Sequence, residues 1–256
     1  MQLVLLTAAG VGGATMIGAL IGFLLKKPSH KFHDIVLSFA AGVMLAAAVI
    51  GLILPSLDFG ETSSILVTVV GLFCGAFCLN LLDKLVPHLH KLSGVDQESH
   101  PDQTDSINRI LLFVVAIAIH NLPEGIAAGV AAGVGFETGD WLQALTVTGG
   151  IALQNIPEGM VIIAPMLAAG MSARRTFVIA MMTGVVEVLG TLLGYFAVSI
   201  SAAILPFALA FAGGTMLYVI SDEMIPETHA HGSERGATYA LLVGFSLMLA
   251  FDFWLG

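Results

Sequence analysis

Residues 107–135 read INRILLFVVAIAIHNLPEGIAAGVAAGVG. The stretch is long and apolar enough to cross a bilayer as a helix, yet its centre is HNLPEG at 120–125. Residues 141–169 repeat the pattern, with QNIPEG at 154–159. Two consecutive hydrophobic segments thus place amides, a proline, a glutamate and a glycine at the same point.

The rest of the chain explains the setting. Its 256 residues are 57% hydrophobic and 11% charged, whereas a water-soluble domain carries about 25% charged residues. Helices are the default for spans in lipid, because each must satisfy its own backbone. Apolar runs give eight expected transmembrane helices, at 3–25, 35–57, 63–85, 107–135, 141–169, 175–200, 204–225 and 237–255. The fold class is therefore an all-α integral membrane protein, read as one domain over 1–256. The opening MQLVLLTAAG lacks the basic n-region of a signal peptide, so it reads as a first span entering N-terminus-out.

Charge fixes the sides. Lys26, Lys27, Lys31, Lys84, Lys91, Arg109, Arg174, Arg175 and Arg235 all fall on one side of this eight-span count. The opposite loops carry Asp58, Glu61, Glu137 and Asp140 and no Lys or Arg. By the positive-inside rule the basic side is cytoplasmic, and both termini face outward. Seven histidines, His30, His33, His88, His90, His100, His229 and His231, are assigned to cytoplasmic loops; His120 is the exception. The loop at about 86–106, VPHLHKLSGVDQESHPDQTDS, holds His88 and His90 either as solvated residues or as a weak metal-collecting segment. Cys74 and Cys78 are expected to pack as small residues rather than form a disulfide. Gly18/Gly22, Gly71/Gly75, Gly125/Gly129/Gly133 and Gly190/Gly194 recur at a spacing that lets helices approach closely.

The chemistry lies in spans 4 to 6. Glu124, Glu158 and Glu187 sit near mid-membrane with no Lys or Arg at that depth. An acidic side chain there costs on the order of 3 kcal/mol. Either these groups are protonated and hydrogen-bonded to neighbouring helices, or they share a cation. His120 and Glu124, spaced i and i+4, share one helix face, bordered by Asn121. Gln154, Asn155 and Glu158 repeat the arrangement on the next, antiparallel helix. Imidazole and carboxylate suit zinc, iron, manganese or cadmium. Three ionised glutamates carry −3, so one divalent ion leaves −1 and two leave +1. Pro123 and Pro157 cannot donate to the carbonyls of Ile119 and Leu153, which predicts a bend in each helix. Gly125 and Gly159 are expected to leave room beside each glutamate.

With these motifs the sequence resembles the ZIP family of divalent-metal transporters, nearest its bacterial GufA-like branch. The resemblance implies a ZIP-type bundle with a binuclear mid-membrane site. The first metal would take His120, Glu124, Gln154 and Glu158, with Met44 of AAGVMLAA joining from the outer approach. Residue by residue, Met44 reads as lipid-facing or core. The second metal would take Asn121, Asn155 and Glu187 and share Glu124 and Glu158. Asp222, Glu223 and Glu227 of SDEMIPETH, with His88 and His90, would lie at the inner exit. Many family members have a histidine where this chain has Gln154, which favours a broader metal preference. The implied function is divalent-metal transport toward the cytoplasm, zinc first, in a bacterial inner membrane. Metal is then the substrate, and no cofactor is expected. The expected partners are metal ions and lipid, with a homodimer allowed and no nucleic acid. Two other classes compete: a membrane-embedded metal hydrolase, against which the absence of HExxH weighs, and a cation channel. No Walker motif GxxxxGK[ST] occurs, so ATP is not bound in that way.

Overall fold

The computed structural model describes residues 2–25, 29–58, 64–85, 121–136, 138–139, 141–168, 170–200 and 202–255. These are helical almost throughout, and among them there is no strand. Helix α1 is Gln2–Leu25, α2 is His30–Leu57, α3 is Ser64–Leu85 and α4 covers 121–136. Helix α5 is Trp141–Val161, and a short helix Ile163–Ala168 follows it. Helix α6 is Ala173–Ile200, α7 is Leu205–Thr228 and α8 is Glu234–Leu255.

Six of these helices, α1, α2, α3, α6, α7 and α8, are long and apolar enough to cross a membrane. Large apolar side chains such as Phe73 and Phe77 on α3 and Phe253 and Trp254 on α8 are exposed, as a lipid-facing surface requires. The 21 residues of α5 include Gln154, Asn155 and Glu158, which lower its hydropathy. The part of span 4 before residue 121 lies outside the described residues.

Two boundaries differ from the hydropathy reading by more than three residues. Helix α2 begins at His30 because Ser29 caps it, its hydroxyl accepting from the Phe32 N–H at 3.2 Å. His30 and His33 therefore belong to the first turns of a helix and not to a loop. Helix α7 ends at Thr228, within three residues of the expected 225. The long fifth segment is interrupted by a turn at Ile162.

Both α2 and α7 widen into π-helix, at Ala47–Ile53 and Ile220–Met224. Each wide stretch ends just before a proline, Pro55 or Pro226. A proline cannot donate, and its ring crowds the carbonyl four residues back. The i→i+5 bonding upstream, Leu54 N–H to Val49 O and Ile225 N–H to Ile220 O, carries the chain into the proline turn. By contrast α5 stays α-helical through Pro157.

Close packing sorts the helices into two sets. Helix α1 lies chiefly on α5 and α6, while α3 lies on α7 and α2 on α8. The expected glycines are where backbones touch: a Cβ on Gly18 would stand 2.1 Å from Ile156 O, and one on Gly75 2.1 Å from Phe211 O. Helix α4 meets α6 in the same way, through Gly129 and Thr191. Helices α2 and α5 also pack together, but there Gly51 faces the side chain of Val147 and not its backbone. The expectation for the cysteines is corrected in part. Both are free, as expected, but Cys74 is exposed rather than packed between helices, because its face of α3 looks outward beside Phe73 and Phe77.

Candidate metal centre

The two motifs meet. Asn121 and Glu124 on α4, Gln154 and Asn155 on α5, and Glu187 on α6 are all buried, none more than 1% exposed. Glu158 is half-buried, so it is the most accessible member. Glu158 and Glu187 are the acidic neighbours of Glu124.

Glu187 organises the group. Its Oε2 accepts from Asn155 Nδ2 at 2.7 Å, and its Oε1 accepts from Asn121 Nδ2. A residue absent from the sequence reading completes this shell. Thr15 of α1 lies 2.6 Å from Oε1 and 2.8 Å from Oε2 and donates its hydroxyl to them. Asn155 also donates to Val11 O at 3.3 Å and accepts from Gln154 Nε2 at 2.5 Å. The amides are thus turned with their nitrogens toward Glu187 and its neighbour. Asn121 Oδ1, Gln154 Oε1 and Glu124 Oε2 are buried with no hydrogen-bond partner among the described residues. Orphan buried oxygens are costly, and oxygen donors beside carboxylates match a divalent cation.

The motif glycines are the seats of neighbouring helices rather than spare room. A Cβ on Gly125 would stand 2.3 Å from Glu187 O, and one on Gly159 would stand 2.2 Å from Thr15 O. This is what delivers Glu187 and Thr15 to the cluster.

Among the described residues no three His, Cys, Asp or Glu side chains form a group that could hold a metal ion. A binding set therefore has to draw on the amide oxygens or on residues outside the described ones. His120, His88 and His90 lie outside them. Met44 is fully buried in an apolar cluster with Val11, Ala127 and Ala128, which decides for core over lipid-facing. Asp222 and Glu223 lie in the π-helical stretch of α7. Asp222 lines an open cleft of about 330 Å³ with Tyr218 and Ser221. Glu227 follows on the last turn of α7, beside Thr228, which accepts from Ser38 of α2 at 3.2 Å.

A second polar cluster joins the start of α2 to the turn after α7. Asp34 is fully buried, and its Oδ1 lies 3.0 Å from His231 Nδ1 and 4.0 Å from His33 Nδ1. The rings of His30 and His231 stack at 5.1 Å.

The family model described as ZIP Zinc transporter matches residues 90–252. The chain belongs to the ZIP family. The ZIP match includes α4 to α7 and most of α8, but not α1, which carries Thr15. Relatives cover nearly all of the chain. It is 40% identical to the zinc transporter GufA of Myxococcus xanthus over 96% of both chains. It is 39% identical to the zinc transporter ZIPB of Bordetella bronchiseptica, over 97% of this chain and 80% of that one. The zinc transporter ZIP11 of Homo sapiens is 30% identical over 95% and 94%. The GufA match agrees with the bacterial GufA-like branch, and ZIP membership with the apolar helices makes this an integral membrane protein.

Proposed function

We propose that the chain carries divalent metal ions across a bacterial inner membrane toward the cytoplasm, with zinc the foremost substrate. It acts as a transporter and not as an enzyme. It is a single transmembrane unit over 1–256, crossing eight times with both termini outside. The ion passes through a mid-membrane two-metal site. His120, Glu124, Gln154 and Glu158 hold the first ion, with Met44 on its approach. Asn121, Asn155 and Glu187 hold the second, and Glu124 and Glu158 bridge the two. Asp222, Glu223, Glu227, His88 and His90 receive the departing ion.

The observation that carries this reading is the gathering of three carboxylates and three amides from α4, α5 and α6. They include buried oxygens that nothing among the described residues satisfies. Its support from outside the chain is that the relatives above are named zinc transporters. Amide oxygens bind metal weakly beside imidazole or thiolate, which suits release better than retention.

Zinc uptake into proteoliposomes tests it. Glu124→Ala and Glu158→Ala should each abolish uptake at matched protein, since each removes a bridging carboxylate. His120→Ala should cost more than Asn121→Ala, because imidazole is the stronger ligand. Near-normal uptake in either glutamate variant overturns the two-metal site.

A further inference from the structure

Threonines inside helices usually turn the hydroxyl back to a carbonyl of the preceding turn. Thr146, Thr148 and Thr191 do so, bonding Leu142 O, Ala144 O and Glu187 O at 2.8–2.9 Å. Thr15 does otherwise. The carbonyl four residues before it, Val11 O, accepts from Asn155, and the Thr15 hydroxyl goes to both oxygens of Glu187. The contact is fixed from behind, because the Thr15 backbone rests against Gly159 of the second motif. Helix α1 thereby reaches the metal centre through the Thr15 hydroxyl and the Val11 carbonyl.

We propose that Thr15 is a positioning residue for metal binding. Its hydroxyl holds the Glu187 carboxylate in the plane where Asn121 and Asn155 can both donate to it. That in turn sets which end of each amide faces the site. With Asn155 Nδ2 turned to Glu187, its Oδ1 takes the Gln154 Nε2, and Gln154 Oε1 is left facing away from that bond. Asn121 is turned likewise, nitrogen to Glu187 and Oδ1 outward. The Thr15 O–H thus acts, together with Val11 O, on the oxygen donors of α4 and α5. Groups that orient metal ligands typically contribute about 10- to 100-fold in affinity. The proposal rests on the reading of Glu187 as part of the metal site.

The test is zinc titration of the full-length protein in detergent, with stoichiometry and affinity both measured. The variants are Thr15→Val, Thr15→Ser, Glu187→Gln and the double Thr15→Val/Glu187→Gln. Thr15→Val should weaken zinc binding by about 10- to 100-fold, and Thr15→Ser should restore it. The double variant should bind no more weakly than Glu187→Gln alone, because the hydroxyl acts through that carboxylate. If Thr15→Val binds like wild type while Glu187→Gln is weakened, the role of Thr15 is overturned and the site stands. If Glu187→Gln binds like wild type, the reading of the site fails, and this inference fails with it. If the two losses simply add, Thr15 acts through general packing and the proposal is wrong. Should Thr15→Val not fold, Thr15→Ala against Thr15→Ser decides the same question, since both lose the methyl and only serine keeps the hydroxyl.

Discussion

The backbone of Gly159 rests so closely on Thr15 that a Cβ there would stand 2.2 Å from the Thr15 carbonyl oxygen. Its counterpart Gly125 stands in the same relation to Glu187, at 2.3 Å. Neither carbonyl can rotate away, since each belongs to a helix. Gly159→Ala must therefore push α1 from α5, and Gly125→Ala must push α6 from α4. Overpacking of this kind costs about 1–3 kcal/mol, a fall in Tm on the order of 5 °C. Zinc uptake should be lost with it. Gly10→Ala, where nothing lies within 4 Å, should change neither. Thermal unfolding in detergent and proteoliposome uptake check all three.

Gln154→His should strengthen zinc binding and narrow selectivity, because it replaces an amide oxygen with an imidazole nitrogen. Turnover should slow, since transport requires release. Zinc-to-cadmium and zinc-to-manganese uptake ratios are the measurement. Ratios equal to those of wild type would mean that Gln154 does not select the metal.

Metal affinity should fall as pH falls from about 7 to 5, the range in which an imidazole takes up a proton. Protons and metal compete for the same atoms, so binding releases protons and acid weakens it. The expected loss is about tenfold per pH unit for each proton displaced. Equilibrium titration in detergent isolates this effect, because no gradient is present to drive uptake. Affinity independent of pH would rule out His120 and the glutamates as ligands.

His231→Ala should destabilise the protein by roughly 1–3 kcal/mol, the cost of leaving a buried acceptor unpaired. The acceptor is Asp34, fully buried and 3.0 Å from His231. Asp34→Asn in the His231→Ala background should recover part of the loss, because a neutral amide is cheaper to leave there than a carboxylate. Thermal midpoints of the two variants check this, and an unchanged midpoint in His231→Ala would mean that the bond contributes nothing.

Much of the architecture could be read directly. Long apolar runs mark their own helices, so α1, α3, α6 and α8 lie within a few residues of expectation. The meeting of Asn121, Asn155 and Glu187 was legible, because polar residues within apolar helices need one another as partners. Thr15 was not legible. A threonine among GVGGATMIGAL looks like any small helix-packing residue, and only the docking of α1 on α5 and α6 turns its hydroxyl to Glu187. Nor could hydropathy locate the start of α2, because the cap at Ser29 is a local hydrogen bond among polar residues. The Asp34–His231 pair joins positions far apart in sequence, and no spacing rule connects them.

The wide turns of α2 and α7 alter how each helix presents its sides. An i→i+5 turn holds one residue more than an α-turn, and one residue is about 100° of rotation. Side chains after Ile53 and after Met224 are therefore out of phase with those before. On α7 the shift falls within Ile220–Met224, which holds Asp222 and Glu223 and precedes Glu227. A helical wheel drawn from Leu205 assigns Glu227 to the wrong side, and labelling along α7 will follow two separate periodicities that meet at Met224.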